Sequence, residues 1–311
     1  METDSKIYVA GHRGMVGASI VRALNAAGFT NIVTRTHAEL PLDDEAAVRI
    51  FFDHERPDYV FLAAAKVGGI VANATYPADF IVQNLKIQTN VIDTAYRAGV
   101  RKLLFLASSC IYPRLASQPI REDSLLTGPL EETNAAYAVA KIAGVAMCDA
   151  YRKQHGFDAI TVMPSNIYGV GDNFDPEHSH VVAGMMLRLH EAKRNGVGQV
   201  AMWGTGTPLR ELTYCDDLGS ACAFLMQHYS EPGPINAGSG VEYRLSELAA
   251  RIAAVVGYEG EISWDHSRPD GTPRKLMAQD RIRALGWDSR IDLDNGLRRM
   301  YDWWRAGHSR E

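Results

Sequence analysis

The sequence predicts an α/β fold: a doubly wound parallel sheet followed by a smaller C-terminal α/β lobe. Three observations lead there. Short apolar runs alternate with helix-period stretches through the first half of the chain. Several of those runs are continuously apolar, as strands covered on both faces require. A glycine-rich turn stands between the first run and the first helical stretch, where a doubly wound sheet receives phosphate groups.

The elements follow in order. Lys6–Ala10 reads as the first strand, and Met15–Ala27 has helical periodicity and stops at Gly28. Asn31–Thr34 is a short second strand; Asp44–His54 is a helix ended by Pro57. Asp58–Ala65 is a buried strand, Ala78–Ala98 a helix stopped by Gly99, and Leu103–Ala107 another buried strand. Ala136–Gln154 is a long helix ending near Gly156, and Ile160–Met163 is a strand before Pro164. Strands alternating with helices imply right-handed crossovers and hence a parallel sheet.

Beyond about residue 167 the texture changes. Gly169–His180 is rich in Gly, Asn, Asp, Pro and His and reads as a functional loop. Helices follow near Val181–Arg194 and Leu245–Val256, with a Gly/Pro-rich segment at Ser230–Gly240. The expected division is residues 1–166 for a dinucleotide-binding domain of Rossmann type. Residues 167–311 form a substrate lobe, with some segments returning to the first domain.

A chain of 311 residues exceeds one ordinary core, which supports that division. With 46% hydrophobic and 22% charged residues the composition is that of a globular protein, not a disordered one. The formal net charge of −5 gives no basic field, so no nucleic-acid partner is expected. The first residues carry Glu2 and Asp4 and a short apolar run, which does not fit a secretory signal. No run approaches the roughly 18 apolar residues of a spanning helix, so no membrane partner is expected. Cys110, Cys148, Cys215 and Cys222 show no metal-ligand spacing. They are expected to be reduced thiols of a cytoplasmic protein, with no metal site.

Gly11-His12-Arg13-Gly14-Met15-Val16-Gly17 joins the first strand to the first helix. Its glycines permit a tight turn and close approach of backbone to a pyrophosphate, at the positive end of the helix dipole. The second strand ends Val33-Thr34-Arg35-Thr36-His37, without the acid that binds the ribose hydroxyls of NAD. Arg35 and Arg13 are either a clamp for a 2′-phosphate, which favours NADP, or solvated surface charges.

Tyr137 and Lys141 stand at i and i+4 on a helix and share one face. An ammonium beside a phenol favours the phenolate, so such a pair passes a proton to a carbonyl oxygen as hydride arrives. The spacing alone is common; with the N-terminal glycine turn it gains force. Ser108 follows a strand at its carboxyl end, where ligands bind, and either donates to a substrate carbonyl or caps a turn.

Glycine turn, strand-end serine and Tyr-x-x-x-Lys together resemble the extended short-chain dehydrogenase/reductase superfamily. Arg210-Glu211-Leu212-Thr213-Tyr214-Cys215-Asp216-Asp217 is similar to the R-x-F-x-x-V-x-D segment of its nucleotide-sugar branch, with Leu212 and Cys215 departing from it. Closer resemblance is to the GDP-L-fucose synthase family. Its carriers are Ala10–Gly17, Leu62–Asn73, Tyr76–Phe80, Ser108–Pro113, Tyr137–Gly144, Asp172–Val181 and Pro269–Leu276, spread over essentially the whole chain. Where members can carry a second Arg on the adenine side, this chain has His37.

The resemblance implies a bifunctional 3,5-epimerase and NADPH-dependent 4-reductase. Its substrate is GDP-4-keto-6-deoxy-D-mannose, its product GDP-L-fucose, and its assembly a homodimer. It implies Cys110 and His180 as the epimerase base and acid beside Ser108, Tyr137 and Lys141. Cofactor contacts are implied for Leu106, Ala107, Ser108 and Ser109, for Pro164, Ser165, Asn166 and Ile167, and for His180. Arg188 and Arg210 are implied for the pyrophosphate, Trp203 for stacking, and Asp270 and Lys275 for the nucleotide end. From residues alone, Cys110 reads equally as a packed thiol, His180 as a loop histidine beside His178, and Arg188 and Arg210 as surface charges. A dehydratase is disfavoured because Ser109-Cys110 stands where those enzymes place an Asp-Glu pair. A synthase of a related sugar such as GDP-colitose, or a non-catalytic NADP-binding protein, are the alternatives.

Overall fold

The computed structural model describes residues 1–176, 179–267 and 270–308. The first strands are where continuous apolar sequence places them: β1 Ile7–Ala10, β2 Ile32–Val33, β3 Tyr59–Leu62, β4 Lys102–Leu106 and β5 Asp158–Pro164. Between them lie α1 Met15–Ala26, α2 Glu45–Glu55, α3 Ile70–Thr75, α4 Pro77–Arg97 and α5 Ala135–His155. Local chemistry sets their ends. Asp44 caps α2 by accepting from the Ala46 backbone N–H at 2.9 Å. Pro77 opens α4, and Gly156 closes α5 in the left-handed region.

The second half adds β6 Asn166–Tyr168, α6 Val181–Arg194, β7 Gln199–Trp203, β8 Leu209–Tyr214, α7 Cys215–His228 and β9 Pro234–Ala237. It finishes with β10 Glu242–Arg244, α8 Leu245–Val256, β11 Glu261–Asp265, β12 Arg274–Lys275, α9 Asp280–Ala284 and α10 Leu293–His308. Strand β9 forms inside the Gly/Pro-rich segment Ser230–Gly240, and pairs with β5 from Thr161↔Pro234 to Pro164↔Ala237.

The main sheet is all parallel in the order β2-β1-β3-β4-β5-β9. Its two faces bury alternate residues of the same strands. Tyr8, Val60, Leu103 and Phe105 face α2, α4 and α5, whereas Ile7, Val9, Phe61, Leu104 and Val162 face α1 and α7. Helix α7 lies so close to α1 that a Cβ on Gly219 would be 2.5 Å from the Ser19 carbonyl oxygen. The second lobe is a small mixed sheet, β10-β8-β12 with β6 on β8, and a parallel pair β11-β7. Helices α6, α8 and α10 cover a separate apolar cluster there. The main sheet's order reverses at β1, whose neighbours β2 and β3 lie on opposite sides, and ligands bind outside the carboxyl ends at such a point. Among the described residues no helix is long and apolar enough to cross a membrane.

Candidate active site

At the end of β1 the chain turns through Gly11, whose φ of 85° suits glycine. A side chain is excluded there twice over: a Cβ on Gly11 would meet the Ala64 backbone N at 2.7 Å, and one on Gly17 the Gly11 carbonyl oxygen at 2.1 Å. Gly14 caps α1 without a side-chain bond, and no acid stands in the first turn of the helix. The helix N-terminus therefore keeps its donors and positive potential for an anion. The Nδ1 atom of His12 is buried without a hydrogen-bond partner, a further polar atom open to a ligand. These features fit a dinucleotide.

Arg13 is exposed beside this turn. Arg35 is held: it donates to Glu55 Oε1 at 2.6 Å and to the Thr34 carbonyl at 2.8 Å, over the Phe51 ring. Both arginines act on the exposed carboxylate of Glu39, which accepts the Thr36 N–H at 2.7 Å and is held below its ordinary pKa. Sequence reading found no acid at the end of the second strand; Glu39 supplies one four residues past Arg35. His37 is exposed.

Strand β4 delivers Leu106 and Ala107, both buried, and then Ser108, whose hydroxyl accepts the Cys110 N–H at 3.2 Å. That bond turns Ser109, Cys110 and Ile111 into one 3₁₀ turn. Tyr137 and Lys141 project from α5 toward the same strand end. The buried Lys141 ammonium donates to the Leu106 carbonyl at 2.8 Å and lies over Phe105. Helix and strand approach this closely because residue 144 is glycine; a Cβ there would be 2.4 Å from Phe105 Cζ. Burial pushes Lys141 down to about 7. Tyr137 is driven above its ordinary value by burial and by the nearby Cys110, with a Ser108 hydrogen bond acting in the opposite direction. The ammonium's bond to Leu106, and not to the phenol, leaves Tyr137 a firmly protonated donor in this arrangement.

Cys110 Sγ lies 3.5 Å from Lys275 Nζ. Burial pushes the thiol up, but the charge of Lys275, hydrogen bonds from Ser108 and Lys275, and the charge of Arg210 outweigh it, so the thiol is lowered. Lys275, assigned by resemblance to the nucleotide end, thus stands at the thiol. It arrives there on β12, in register with Arg210 of β8. Ser109, Cys110, Arg114, Glu131, Asn134 and Lys275 surround a narrow space on this side.

His180 caps α6 and lines a cavity of about 300 Å³ with Lys66, Gly68, Tyr76, Phe80 and Asn173. Phe80 also meets the Tyr137 ring edge-on at 6.4 Å, so the cavity adjoins Tyr137. Asp172 Oδ1 is 3.8 Å from His180 Nδ1. His178 lies outside the described residues. Sequence reading did not single out Lys66, Phe80 or Asp172; the signal available was their place in strand-end and loop stretches already noted for resemblance.

Pro164 ends β5. The next residues tie the lobes together: Ser165 Oγ is 2.6 Å from Thr213 Oγ1, and Asn166 donates to the Glu211 carbonyl at 3.1 Å. Ile167 packs into both apolar clusters around this junction. Arg188 donates to the Ala201 carbonyl at 3.1 Å and lies 5.2 Å over the half-exposed Trp203 ring, so these two form one cationic and aromatic platform. Asp270 fixes the neighbouring turn, accepting from Thr205 N at 2.7 Å and Thr205 Oγ1 at 2.8 Å, while its carbonyl receives Arg210 at 3.4 Å. Arg210 therefore links the Asp270 turn to the Cys110 side.

Residues 7–238 match the model of the NAD dependent epimerase/dehydratase family. The chain is similar to GDP-L-fucose synthase 1 of Arabidopsis thaliana, 58% identical over 97% of this chain and 94% of that one. It is similar to GDP-L-fucose synthase of Escherichia coli (strain K12), 49% identical over 99% of each chain. Among solved structures it is similar to GDP-mannoheptose C4 reductase from Campylobacter jejuni with NADP bound. The TM-score is 0.90 and the identity 37%, over 98% of this chain and 99% of that one.

Proposed function

The chain belongs to the NAD dependent epimerase/dehydratase family, among the GDP-L-fucose synthases, and from that premise we propose that its site converts GDP-4-keto-6-deoxy-D-mannose to GDP-L-fucose. The reaction is two epimerisations, at C3 and C5, and one NADPH-dependent reduction at C4. The observation that carries this reading is the Cys110 thiol 3.5 Å from the Lys275 ammonium beside Ser108 at the end of β4, with Tyr137 on the facing α5 and the His180 imidazole on the adjoining cavity. A plain reductase needs no such thiol.

The glycine turn Gly11–Gly17, Arg13, Arg35 and Lys141 would hold the cofactor, which when bound supplies the hydride for C4. The pairing of Arg13 and Arg35 supports NADPH over NADH, since a 2′-phosphate suits two guanidinium groups. The stretches Leu106–Ser109 and Pro164–Ile167 would supply further cofactor contacts.

The C4 ketone acidifies the hydrogens on C3 and C5. The Cys110 thiolate takes a proton from one of these carbons, and the electron pair moves onto the C4 oxygen. Ser108 and Tyr137 hydroxyls donate to that enolate oxygen. His180 returns a proton to the opposite face of the same carbon, inverting it; the ketone re-forms and both groups regain their starting states through solvent. The second carbon follows by the same steps. In the reduction Tyr137 gives its proton to the C4 oxygen, and burial, which raises its pKa, keeps the phenol in the protonated form that role needs. All three steps develop charge on one oxygen, so one pair of donors serves them. Arg188, Trp203 and Arg210 bind the GDP portion, Asp270 fixes the turn beside them, and Lys275 holds the thiol.

The homodimer is read from the family resemblance. The four unpaired cysteines support a cytoplasmic location. Residues 1–166 are read as the cofactor domain and 167–311 as the substrate lobe, less the α7 and β9 segments that join the main sheet.

The test is incubation with GDP-4-keto-6-deoxymannose and NADPH, following the nicotinamide absorbance and identifying the sugar by NMR. GDP-L-fucose is the expected product. NADPH binding without turnover would keep the fold and overturn this substrate.

A further inference from the structure

The loop between β6 and α6 carries a carboxylate to which the chemistry above gives no part. The Asp172 side chain is only 2% exposed. Its backbone is fixed from both sides: its N–H donates to the Gly169 carbonyl at 3.1 Å, and Gly169 and Gly171 take φ of 141° and 90°, open to glycine. Gly171 backs onto the cofactor turn, where an added Cβ would lie 3.4 Å from Met15 Cα.

One carboxylate oxygen, Oδ1, accepts the Asn173 N–H at 2.8 Å and lies 3.8 Å from His180 Nδ1. The other, Oδ2, is buried without a hydrogen-bond partner. A buried carboxylate with an unused oxygen is costly unless a nearby cation compensates it. Two described cations border this place. Lys66 lines the same cavity but is paired with Asp79 at 3.6 Å. His180, its side chain 46% exposed, is the one within ion-pair distance of Asp172.

The imidazole needs such help. His180 is the N-cap of α6, and the positive end of a helix dipole opposes a second positive charge. Returning a proton to a sugar carbon near neutral pH requires the imidazolium form.

We propose that Asp172 is a positioning residue for the epimerisation: its carboxylate orients the His180 ring through Nδ1 and stabilises the imidazolium, leaving Nε2–H for the substrate carbon. This rests on the reading of His180 as the proton-returning acid. The nearby Asp172 carboxylate raises the His180 pKa against the effect of burial.

The experiment uses Asp172→Asn, which keeps the shape and the acceptor for Asn173, together with His180→Gln and the double variant. Deuterium wash-in at C3 and C5 and the share of C4-reduced sugar lacking full inversion are measured on each, and the His180 imidazole titration is followed by NMR in the wild type and in Asp172→Asn. Asp172→Asn should slow inversion at least about tenfold with KM within about twofold, and lower the His180 midpoint. In the His180→Gln background it should add nothing. Normal inversion in Asp172→Asn with a slowed His180→Gln would overturn the proposal and leave the acid intact. Normal inversion in His180→Gln would overturn the reading beneath it. A Asp172→Asn protein that loses NADPH affinity and thermal stability with an unmoved His180 midpoint would make Asp172 a scaffold residue and overturn the proposal.

Discussion

Lys275 Nζ and Cys110 Sγ stand 3.5 Å apart although 165 residues separate them in the chain. The ammonium counters the burial that would otherwise hold the thiol protonated, and so decides whether Cys110 is a base or a packing group.

Replacing Lys275 by Gln should therefore raise the thiol. The thiolate fraction at neutral pH falls, and the pH at which C3 and C5 exchange switches on moves upward. At pH 7 exchange should drop on the order of tenfold for each unit of that shift. The check is the pH dependence of Cys110 alkylation beside that of exchange; an unmoved midpoint in both would remove Lys275 from the base.

Cys110→Ala should abolish inversion at C3 and C5 and leave NADPH binding unchanged, because the thiol touches neither the glycine turn nor the arginines. Normal product at the normal rate would make Cys110 a packing thiol.

Tyr137→Phe should separate the two activities. Losing the proton donor costs about 10²–10⁴ in the reduction. Deuterium exchange should persist more strongly, since Ser108 still donates to the enolate oxygen. Single-turnover NADPH oxidation and NMR exchange on one sample measure both; equal losses would contradict the shared-oxygen scheme.

Arg35→Leu should raise the KM for NADPH by about tenfold and leave NADH use nearly unchanged, since a charged hydrogen bond to the 2′-phosphate is lost. His37→Arg should act in the opposite direction. Steady-state rates with the two nucleotides check both; a loss shared equally by NADH would place Arg35 in the scaffold through Glu55 alone.

Glu211 is buried, accepts from the backbone of Gly240 and Met277, and is pushed up to about 7 by burial. Its folded value lies above its unfolded one, so the proton is held more tightly in the native state. Its contribution to stability is full below about pH 4.5 and is lost as pH rises toward 7. The difference in Tm between wild type and Glu211→Gln should therefore change across that window, measured by calorimetry; a constant difference would refute the linkage.

Much of the parallel sheet was legible because its signals are local. Continuous apolar runs, capping residues and glycine stops sit within a few positions of the elements they define, and Tyr137 and Lys141 share a helix face by spacing alone. Strand β9 was not legible: Ser230–Gly240 shows only its Gly/Pro content, and pairing with β5 makes Pro234–Ala237 a strand. Helix α7 likewise owes its place to α1, through the glycine contact at Ser19.

The site divides the same way. The sequence by itself determined the family, through short stretches spread along the chain, and it placed the glycine turn and the Tyr137–Lys141 pair, since these two rest on residue types at fixed short spacing. Only the tertiary structure decided that Lys275 serves the thiol, that Arg35 is shared with Glu55, and that Asp172 faces His180. The physical reason is that a pKa depends on which charges lie within a few ångströms and how much water is excluded, and folding sets both.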